Sequence, residues 1–323
     1  MKKVVLSLVL MIAAVNVNAQ QIAVVSSSGS TTMCQTLEDA ISKAGSNSVI
    51  YLPAGAFQIS DDVKITNKKL TILGVTHKAN SDNAEGNTII SGNLFFDNGS
   101  DNSAVMGCYI AGNVYVGNDG SAVNNILIKY CNLGSVQVKN NQCSNTKVNQ
   151  NYIRGDSNFN GASAVIQNNI MDSLFGMVGG DISYNIITGC YGSYEALSSV
   201  YNATISKNVI MESRSSYIYT GSSCQISENM LIAKELGDDC YKLDLANWDG
   251  VFDKNLGVTP ASNYTFVGDY AEYNSKAGVH SGGTDFSDGC LPPVPYVSVK
   301  HIDEQTDASG NLTVRLRVKS VSE

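Results

Sequence analysis

The sequence predicts an all-β solenoid in which short parallel strands stack coil upon coil. Three observations lead to this fold class. One short phrase, an apolar residue followed three places later by asparagine, recurs at intervals of about 20 residues. The 33 asparagines and 29 glycines among 323 residues indicate many turns, because both residues tolerate positive φ. Apolar residues alternate over three to five positions, which is typical of strands and not of the 3.6-residue period of helices.

The repeated phrase divides the chain into coils. Its clearest copies are Val148-Asn149-Gln150-Asn151-Tyr152-Ile153, Val165-Ile166-Gln167-Asn168-Asn169-Ile170, Ile182-Ser183-Tyr184-Asn185-Ile186-Ile187, Ile205-Ser206-Lys207-Asn208-Val209-Ile210 and Ile226-Ser227-Glu228-Asn229-Met230-Leu231. A weaker copy ends in Asn255, and two earlier copies carry Cys108 and Cys131 in place of the asparagine. A coil of about 20 residues accommodates three short strands and three corners.

We call the asparagine position of each phrase the slot. A slot residue is expected at a tight corner, in the left-handed conformation, with its amide paired to the slots above and below. The predicted ladder consists of Asn151, Asn168, Asn185, Asn208 and Asn229. Cys108 and Cys131 should then lie about 5 Å apart, either as a disulfide or as two unlinked buried thiols.

With this repeat the chain resembles the right-handed parallel β-helix superfamily typified by pectin and pectate lyases, from about residue 32 to about residue 260. The resemblance implies a right-handed parallel β-helix, an N-terminal capping helix and a polysaccharide partner. Residues 36–45 fit such a helix, with Leu37, Ala40, Ile41 and Ala44 on one face and Gly45 at its end. Residues 48–55 follow as the expected first strand.

The chain divides into three predicted segments. Residues 1–19 have the charged start, apolar stretch and small-residue cleavage site of a signal peptide, which predicts a secreted, periplasmic or cell-surface protein. Residues 20–290 form the parallel β-helix domain, with residues 258–290 as an irregular cover over its far end. Residues 291–323 comprise a proline-rich linker and a C-terminal β-hairpin. No other apolar run reaches 18 residues, so no transmembrane segment is expected.

Charge and chemistry narrow the function classes. The formal charge of −8 becomes −10 without Lys2 and Lys3, which disfavours nucleic acid as a partner. The same charge would repel an anionic polysaccharide unless a local basic cluster or a cation intervened. Eight cysteines without a CxxC pair and three scattered histidines predict no metal site. No cofactor is expected, except Ca²⁺ if the protein were a lyase.

One local motif suggests catalysis. Gly237-Asp238-Asp239-Cys240 resembles the paired aspartates of polygalacturonases, which supply acid and base for glycoside hydrolysis. The partner motifs of that family are missing from the neighbouring coils, so an ordinary solenoid corner is the favoured interpretation.

The candidate binding surface is a strip of residues at similar distances past the slots. Its members are Arg154, Asp156, Asp172, Glu212 and Arg214, with Tyr191 and Tyr194 on the longer loop between Asn185 and Asn208. Mixed charge and tyrosine suit sugar faces, and arginine can hold a uronate carboxylate by a bidentate contact. The sequence therefore predicts a glycan-binding or surface-structural protein. The alternative is a polysaccharide lyase or glycosidase acting on uronate-containing glycans.

Overall fold

The fold is seen in a computed structural model. It describes residues 21–57, 62–78, 86–189, 196–211, 218–221, 223–232, 239–243, 245, 247–253, 258–259, 263–283, 286, 296–302 and 314–319.

Short strands dominate the described chain. The first half contains β1 (Ile22–Val25), β2 (Thr31–Cys34), helix α1 (Leu37–Lys43), β3 (Ser48–Tyr51), β4 (Gly55–Phe57), β5 (Val63–Ile65), β6 (Leu70–Leu73), β7 (Thr88–Ile90), β8 (Leu94–Phe96), β9 (Ala104–Met106), β10 (Tyr109–Ile110), β11 (Val114–Val116), β12 (Leu127–Lys129), β13 (Asn132–Leu133), β14 (Val136–Val138) and β15 (Thr146–Asn149). The second half contains β16 (Tyr152–Ile153), β17 (Ser157–Asn158), β18 (Ala164–Gln167), β19 (Ile170–Met171), β20 (Leu174–Phe175), β21 (Val178–Ser183), β22 (Ile186–Ile187), β23 (Leu197–Ser206), β24 (Val209–Ile210), β25 (Ile218–Thr220), β26 (Gln225–Ser227), β27 (Met230–Ile232), β28 (Tyr241–Leu243), a 3₁₀ helix (Gly268–Ser275), β29 (Tyr296–Ile302) and β30 (Val314–Lys319).

These strands form a parallel β-solenoid of about seven turns, as the repeat predicts. Sheet A comprises the antiparallel strands β2 and β1, followed by the parallel strands β3, β6, β9, β12, β15, β18, β21, the second half of β23, and β26. Sheet B comprises β4, β7, β10, β13, β16, β19, β22, β24, β27 and β28. Sheet C comprises β5, β8, β11, β14, β17, β20, the first half of β23, and β25. Each coil passes from A to B at the first corner, from B to C at the second, and from C back to A at the third.

The interior is an apolar column built from the inward side chains of the three sheets. In sheet A, Ile72, Val105, Ile128, Val148 and Ile166 follow one another in register and are fully buried. Their flanking residues point outward, which explains the alternation in the sequence. β-Branched side chains suit this position because they pack closely between neighbouring rungs.

The asparagine ladder lies at the first corner, with one change from the predicted register. Asn169 occupies the slot instead of Asn168, so the prediction for Asn168 is wrong. The expectation that the slot residue itself is left-handed is also wrong: the residue before each slot has positive φ, as Gln150, Asn168 and Tyr184 show. Asn168 sits at this bend and donates through its amide to the carbonyl of Val279. Two adjacent asparagines made the register ambiguous.

Each ladder asparagine satisfies several backbone groups. The Asn185 side chain donates to the carbonyls of Ile166 (2.8 Å) and Ser183 (3.0 Å), and to Oδ1 of Asn208 (2.9 Å). Its own Oδ1 accepts from the backbone N–H and the amide of Asn169. The same pattern recurs from Asn151 to Asn208. The ladder therefore closes a corner whose peptide groups are buried away from water.

Cys108 and Cys131 continue the ladder as unlinked, buried thiols. The Cys131 thiol donates to the carbonyls of Lys129 and Val105, which are the positions that Asn151 reaches with its amide one coil later. Burial raises the pKa of Cys131 to about 12, so the group stays a neutral S–H donor. Cysteine thus replaces asparagine here as a smaller group with the same donor direction.

The N-terminal end carries an element that the sequence did not predict. Strand β1 pairs antiparallel with both β2 and β3, so sheet A extends past the strand at residue 48 that was expected to be first, through Ile22–Val25 to the edge strand Thr31–Cys34. Helix α1 begins after Thr36, whose hydroxyl accepts from the Asp39 N–H, and it buries Leu37, Ala40 and Ile41 in the apolar core. Gly45 lies beyond the C-cap, which is Ala44. That this helix acts as a lid stays a prediction.

The chain after sheet B's last strand follows a different course from the one expected. The described parts of residues 248–286 pack along the outer face of sheet B, whereas a cover over the far end was predicted. Val251, Phe252, Phe266 and Val279 share a second apolar cluster with the outward residues of sheet B. Those outward residues are Tyr152, Ile170, Ile186, Val209 and Met230. Sheet B is therefore covered on both faces across these coils.

Strands β29 and β30 pair antiparallel near the C-terminus. The residues that would join them lie outside the described chain, so the hairpin itself stays a prediction. The weaker repeat at Asn255 also lies outside the described residues.

Candidate functional site

The second corner brings together three of the predicted binding residues. Arg154 follows Ile153, and Asp172 follows Met171. Since Ile153 and Met171 pair in sheet B, Arg154 and Asp172 occupy the same corner position in consecutive coils. Asp156 precedes sheet C in the same coil as Arg154. Tyr191, Tyr194, Glu212 and Arg214 lie outside the described residues, so their part in this surface stays a prediction.

Arg154 lies along the corner and spans three coils. Its Nε donates to the Leu133 carbonyl (3.2 Å), and its Nη2 donates to the carbonyls of Ile110 (2.8 Å) and Ala111 (3.1 Å). Its Nη1 donates to the hydroxyl of Tyr109, and its guanidinium carbon lies 4.6 Å from the centre of that ring. The equivalent positions one and two coils earlier are Gly134 and Ala111, whose small size leaves room for the side chain. Arg154 therefore joins successive coils.

We predict that Arg154→Met lowers the free energy of unfolding by about 1–2 kcal/mol, because hydrogen bonds from a charged donor are lost while the aliphatic length is kept. Urea unfolding measures this effect. Lys147→Met is the matched control, since Lys147 is exposed on the outer face of sheet A. Equal urea midpoints for the two variants would show that the arginine contacts contribute nothing.

The two carboxylates at this corner are held by neighbouring hydroxyl groups. The Ser173 hydroxyl donates to Asp156, and the Thr188 hydroxyl lies 3.5 Å from Oδ1 of Asp172. Asp156 directly precedes a sheet C strand, as Asn93, Asn113 and Ser135 do in earlier coils, and these residues form a polar column. Within it, the Asn93 side chain accepts from the Asn113 N–H, and the Asn113 side chain accepts from the Ser135 hydroxyl. This column was missed in the sequence because Asn, Ser and Asp alternate in it without a constant phrase.

The outer face of sheet C, next to this corner, carries a column of aromatic, amide and basic side chains. One outward residue from each successive strand lies in register: Lys64, Phe95, Tyr115, Gln137, Asn158, Phe175 and Ser198. We call this column the sheet C strip. The members of the strip were not predicted from the sequence. An alignment of the three-residue segments before the third corner would have placed Phe95, Tyr115 and Gln137 at the same position, between two inward residues.

Aromatic and basic groups are combined along the strip. The rings of Phe95 and Tyr115 stack with centres 4.6 Å apart and planes 6° from parallel. The ammonium of Lys64 lies 5.7 Å from the Phe95 centre, and that of Lys139 lies 5.4 Å from the Tyr115 centre. Lys64 and Lys139 are exposed and Tyr115 is half-buried, whereas Phe95 is buried, with 5% of its surface exposed. Each ring of the stacked pair therefore has one ammonium group beside it.

Polar side chains continue the strip beyond the rings. Nε2 of Gln137 donates to Ser135 Oγ (2.9 Å) and to the Asp156 carbonyl (2.8 Å), while its Oε1 accepts from Lys139 at 3.4 Å. Asn158 and Phe175 follow in the next two coils, both half-buried. The strip thus offers the half-buried rings of Tyr115 and Phe175, together with amides and ammonium groups, on rungs about 4.8 Å apart. Such a surface can stack on and hydrogen-bond to an extended polar chain.

The paired-aspartate motif falls at the first corner of the last described coil. Asp239 has positive φ and is exposed, and Cys240 precedes β28 as Asn229 precedes β27. Asp239-Cys240 therefore takes the place of Glu228-Asn229, which agrees with the interpretation as an ordinary corner. Asp238 lies outside the described residues.

Comparisons with known proteins give no further guide to the site. Neither a scan against protein-family models nor searches of curated proteins and of solved structures gives a match. In the described chain, no helix has the length and apolar character needed to cross a membrane. Over the same residues, no three His, Cys, Asp or Glu side chains are grouped as metal ligands.

Proposed function

We propose that this chain is an exported parallel β-helix protein of the pectin lyase-like type that binds an extended glycan outside the cell. The observation that carries the proposal is the sheet C strip, where the half-buried Tyr115 ring stacks on the buried Phe95 ring and two exposed ammonium groups lie beside the pair. Sugar rings stack on aromatic faces through their C–H groups, and polar neighbours then fix their orientation. The signal-peptide pattern of residues 1–19 supports export.

The geometry of the three outer faces supports sheet C as the binding face. Sheet B is covered by the C-terminal segment across the coils from Tyr152 to Met230. The outer face of sheet A changes from apolar residues such as Tyr51 and Met106 to polar ones such as Gln167 and Ser206, and carries no stacked ring pair among the described residues. Arg154 and Asp156, which were predicted to bind the glycan, border sheet C and hold its adjacent corner in shape.

Binding is tested by titration calorimetry of the mature protein against a panel of neutral and uronate-containing oligosaccharides. We predict that Tyr115→Ala weakens binding of the best ligand by about tenfold, which corresponds to the loss of about 1.4 kcal/mol of stacking. Tyr51→Ala is the matched control, because Tyr51 is 40% exposed on the outer face of sheet A. The control should bind as the wild type does.

Two results would contradict the proposal. If no glycan of the panel binds the folded protein, a purely structural role at the cell surface replaces it. If ultraviolet absorbance of unsaturated products or new reducing ends accumulate, with or without Ca²⁺, the protein is a polysaccharide lyase or glycosidase.

A further inference from the structure

Strand β2 forms the N-terminal edge of sheet A. Within the part of the chain that the structure describes, its paired neighbour is β1, with Thr31 opposite Val25. Thr31, Thr32 and Met33 are exposed, and Met33, at 49%, is the most exposed large apolar side chain of the described residues. An edge strand presents N–H and C=O groups on its open side, so this edge can pair with a further strand.

The pairing of β1 with β2 shows which backbone groups face the open side. The turn that joins the two strands is closed by a hydrogen bond from the Ser26 N–H to the Ser30 carbonyl (2.9 Å). Hydrogen-bonded and non-hydrogen-bonded pairs alternate along an antiparallel ladder. Thr32 therefore bonds to β1, while Thr31 and Met33 direct their N–H and C=O groups toward the open side. These groups are arranged symmetrically about Thr32.

The edge lacks the features that usually prevent strands from pairing between molecules. Proteins protect exposed edges with charged side chains, proline or bulges. From Ile22 to Leu37 the sequence contains neither a charged residue nor a proline, and the register between β1 and β2 runs without a shift. The whole chain has a formal charge of −8, so a second copy meets the least charge repulsion at a neutral stretch such as this one.

We propose that two copies of this chain join through their β2 edges, across a two-fold axis that passes through Thr32 normal to sheet A. The two β2 strands are then antiparallel, and Thr31 of each copy exchanges two hydrogen bonds with Met33 of the other. The exposed Met33 side chain packs beside Thr31 across the joint. The edge is its own complement in this register, which is the property that selects a second copy over an unrelated strand.

Sedimentation velocity of the mature protein tests the dimer, over about 1 μM to about 1 mM because an interface of this small size binds weakly. We expect the fraction of dimer to rise with concentration. Met33→Lys places ammonium groups on adjacent strands of the joint and should weaken dimerisation about tenfold. Val178→Lys is the matched control, since Val178 is a 38% exposed apolar residue of β21, and it should dimerise as the wild type does.

A cysteine cross-link tests the register of the joint. The two Thr32 residues face each other at a non-hydrogen-bonded position, where Cα atoms lie about 4.5 Å apart and a disulfide can form. Mild oxidation of Thr32→Cys should therefore give a covalent dimer. Ser28→Cys, which changes an exposed residue of the turn between β1 and β2, should cross-link no more than the wild type.

Three results would overturn the inference. The first is a sedimenting mass of one chain at every concentration. The second is a Met33→Lys variant that dimerises as tightly as the wild type. The third is a Thr32→Cys variant that cross-links no more than Ser28→Cys. If Met33→Lys proves unfolded by circular dichroism, the cross-link decides alone.

Discussion

Replacing Asn185 by leucine should lower the free energy of unfolding by about 4 kcal/mol. The change removes the acceptor of the Asn169 N–H and the donor to the carbonyls of Ile166 and Ser183. All of these groups are buried inside the first corner, and each unsatisfied group costs about 1–3 kcal/mol. The apolar side chain offsets part of that cost. Chemical unfolding followed by circular dichroism measures the difference.

Asn118→Leu is the matched control for the ladder. Asn118 is exposed at the third corner, and its backbone N–H, not its side chain, donates to Asp97. Exposed substitutions of this kind change stability by about 0.5 kcal/mol or less. If Asn185→Leu unfolds at the same denaturant concentration as the control, the ladder does not stabilise the solenoid.

Shortening Ile186 to alanine should lower the free energy of unfolding by about 3 kcal/mol, although this side chain points outward from its strand. Ile186 is fully buried, because the chain near Gly278 lies directly on it. A β-carbon added at Gly278 would come within 2.7 Å of the Ile186 δ-carbon, so nothing larger than glycine fits between them. Truncating a buried aliphatic side chain by this amount typically costs about 2–5 kcal/mol.

Val165→Ala provides the comparison, since Val165 is the outward residue of a sheet A strand and is only half-buried. Its truncation should cost about 1 kcal/mol or less. Equal losses for the two variants would show that the C-terminal segment does not cover sheet B in solution.

The fold was predictable because the repeat carries a strong physical constraint. A buried corner needs a side chain that satisfies peptide groups above and below, and few residues other than asparagine can do so, which makes the phrase at residues 148–231 visible. The cysteine slots at 108 and 131 were found because their flanking apolar residues keep the same spacing. Asn168 was misplaced because the bend before the slot also favours asparagine.

The course of residues 248–286 could not be predicted from the sequence. Outward residues such as Ile170 and Val209 are apolar, but a two-residue strand shows no alternation that would distinguish an outward position from an inward one. The candidate site was predicted only in part, because spacing along the sequence does not show which side chains reach neighbouring coils. Spacing from the slot placed Arg154, Asp156 and Asp172 at one corner, but it did not show that Arg154 donates to three carbonyls of earlier coils. The sheet C strip could be recognised only from the residue pairing between its strands.

A crystal structure of the protein with the tightest-binding oligosaccharide of the panel tests the central claim most directly. The account predicts an extended chain on the outer face of sheet C, with one sugar ring stacked on Tyr115 and others beside Gln137 and Phe175. A chain lying on the outer face of sheet A, or sugar density away from the strip, would contradict it.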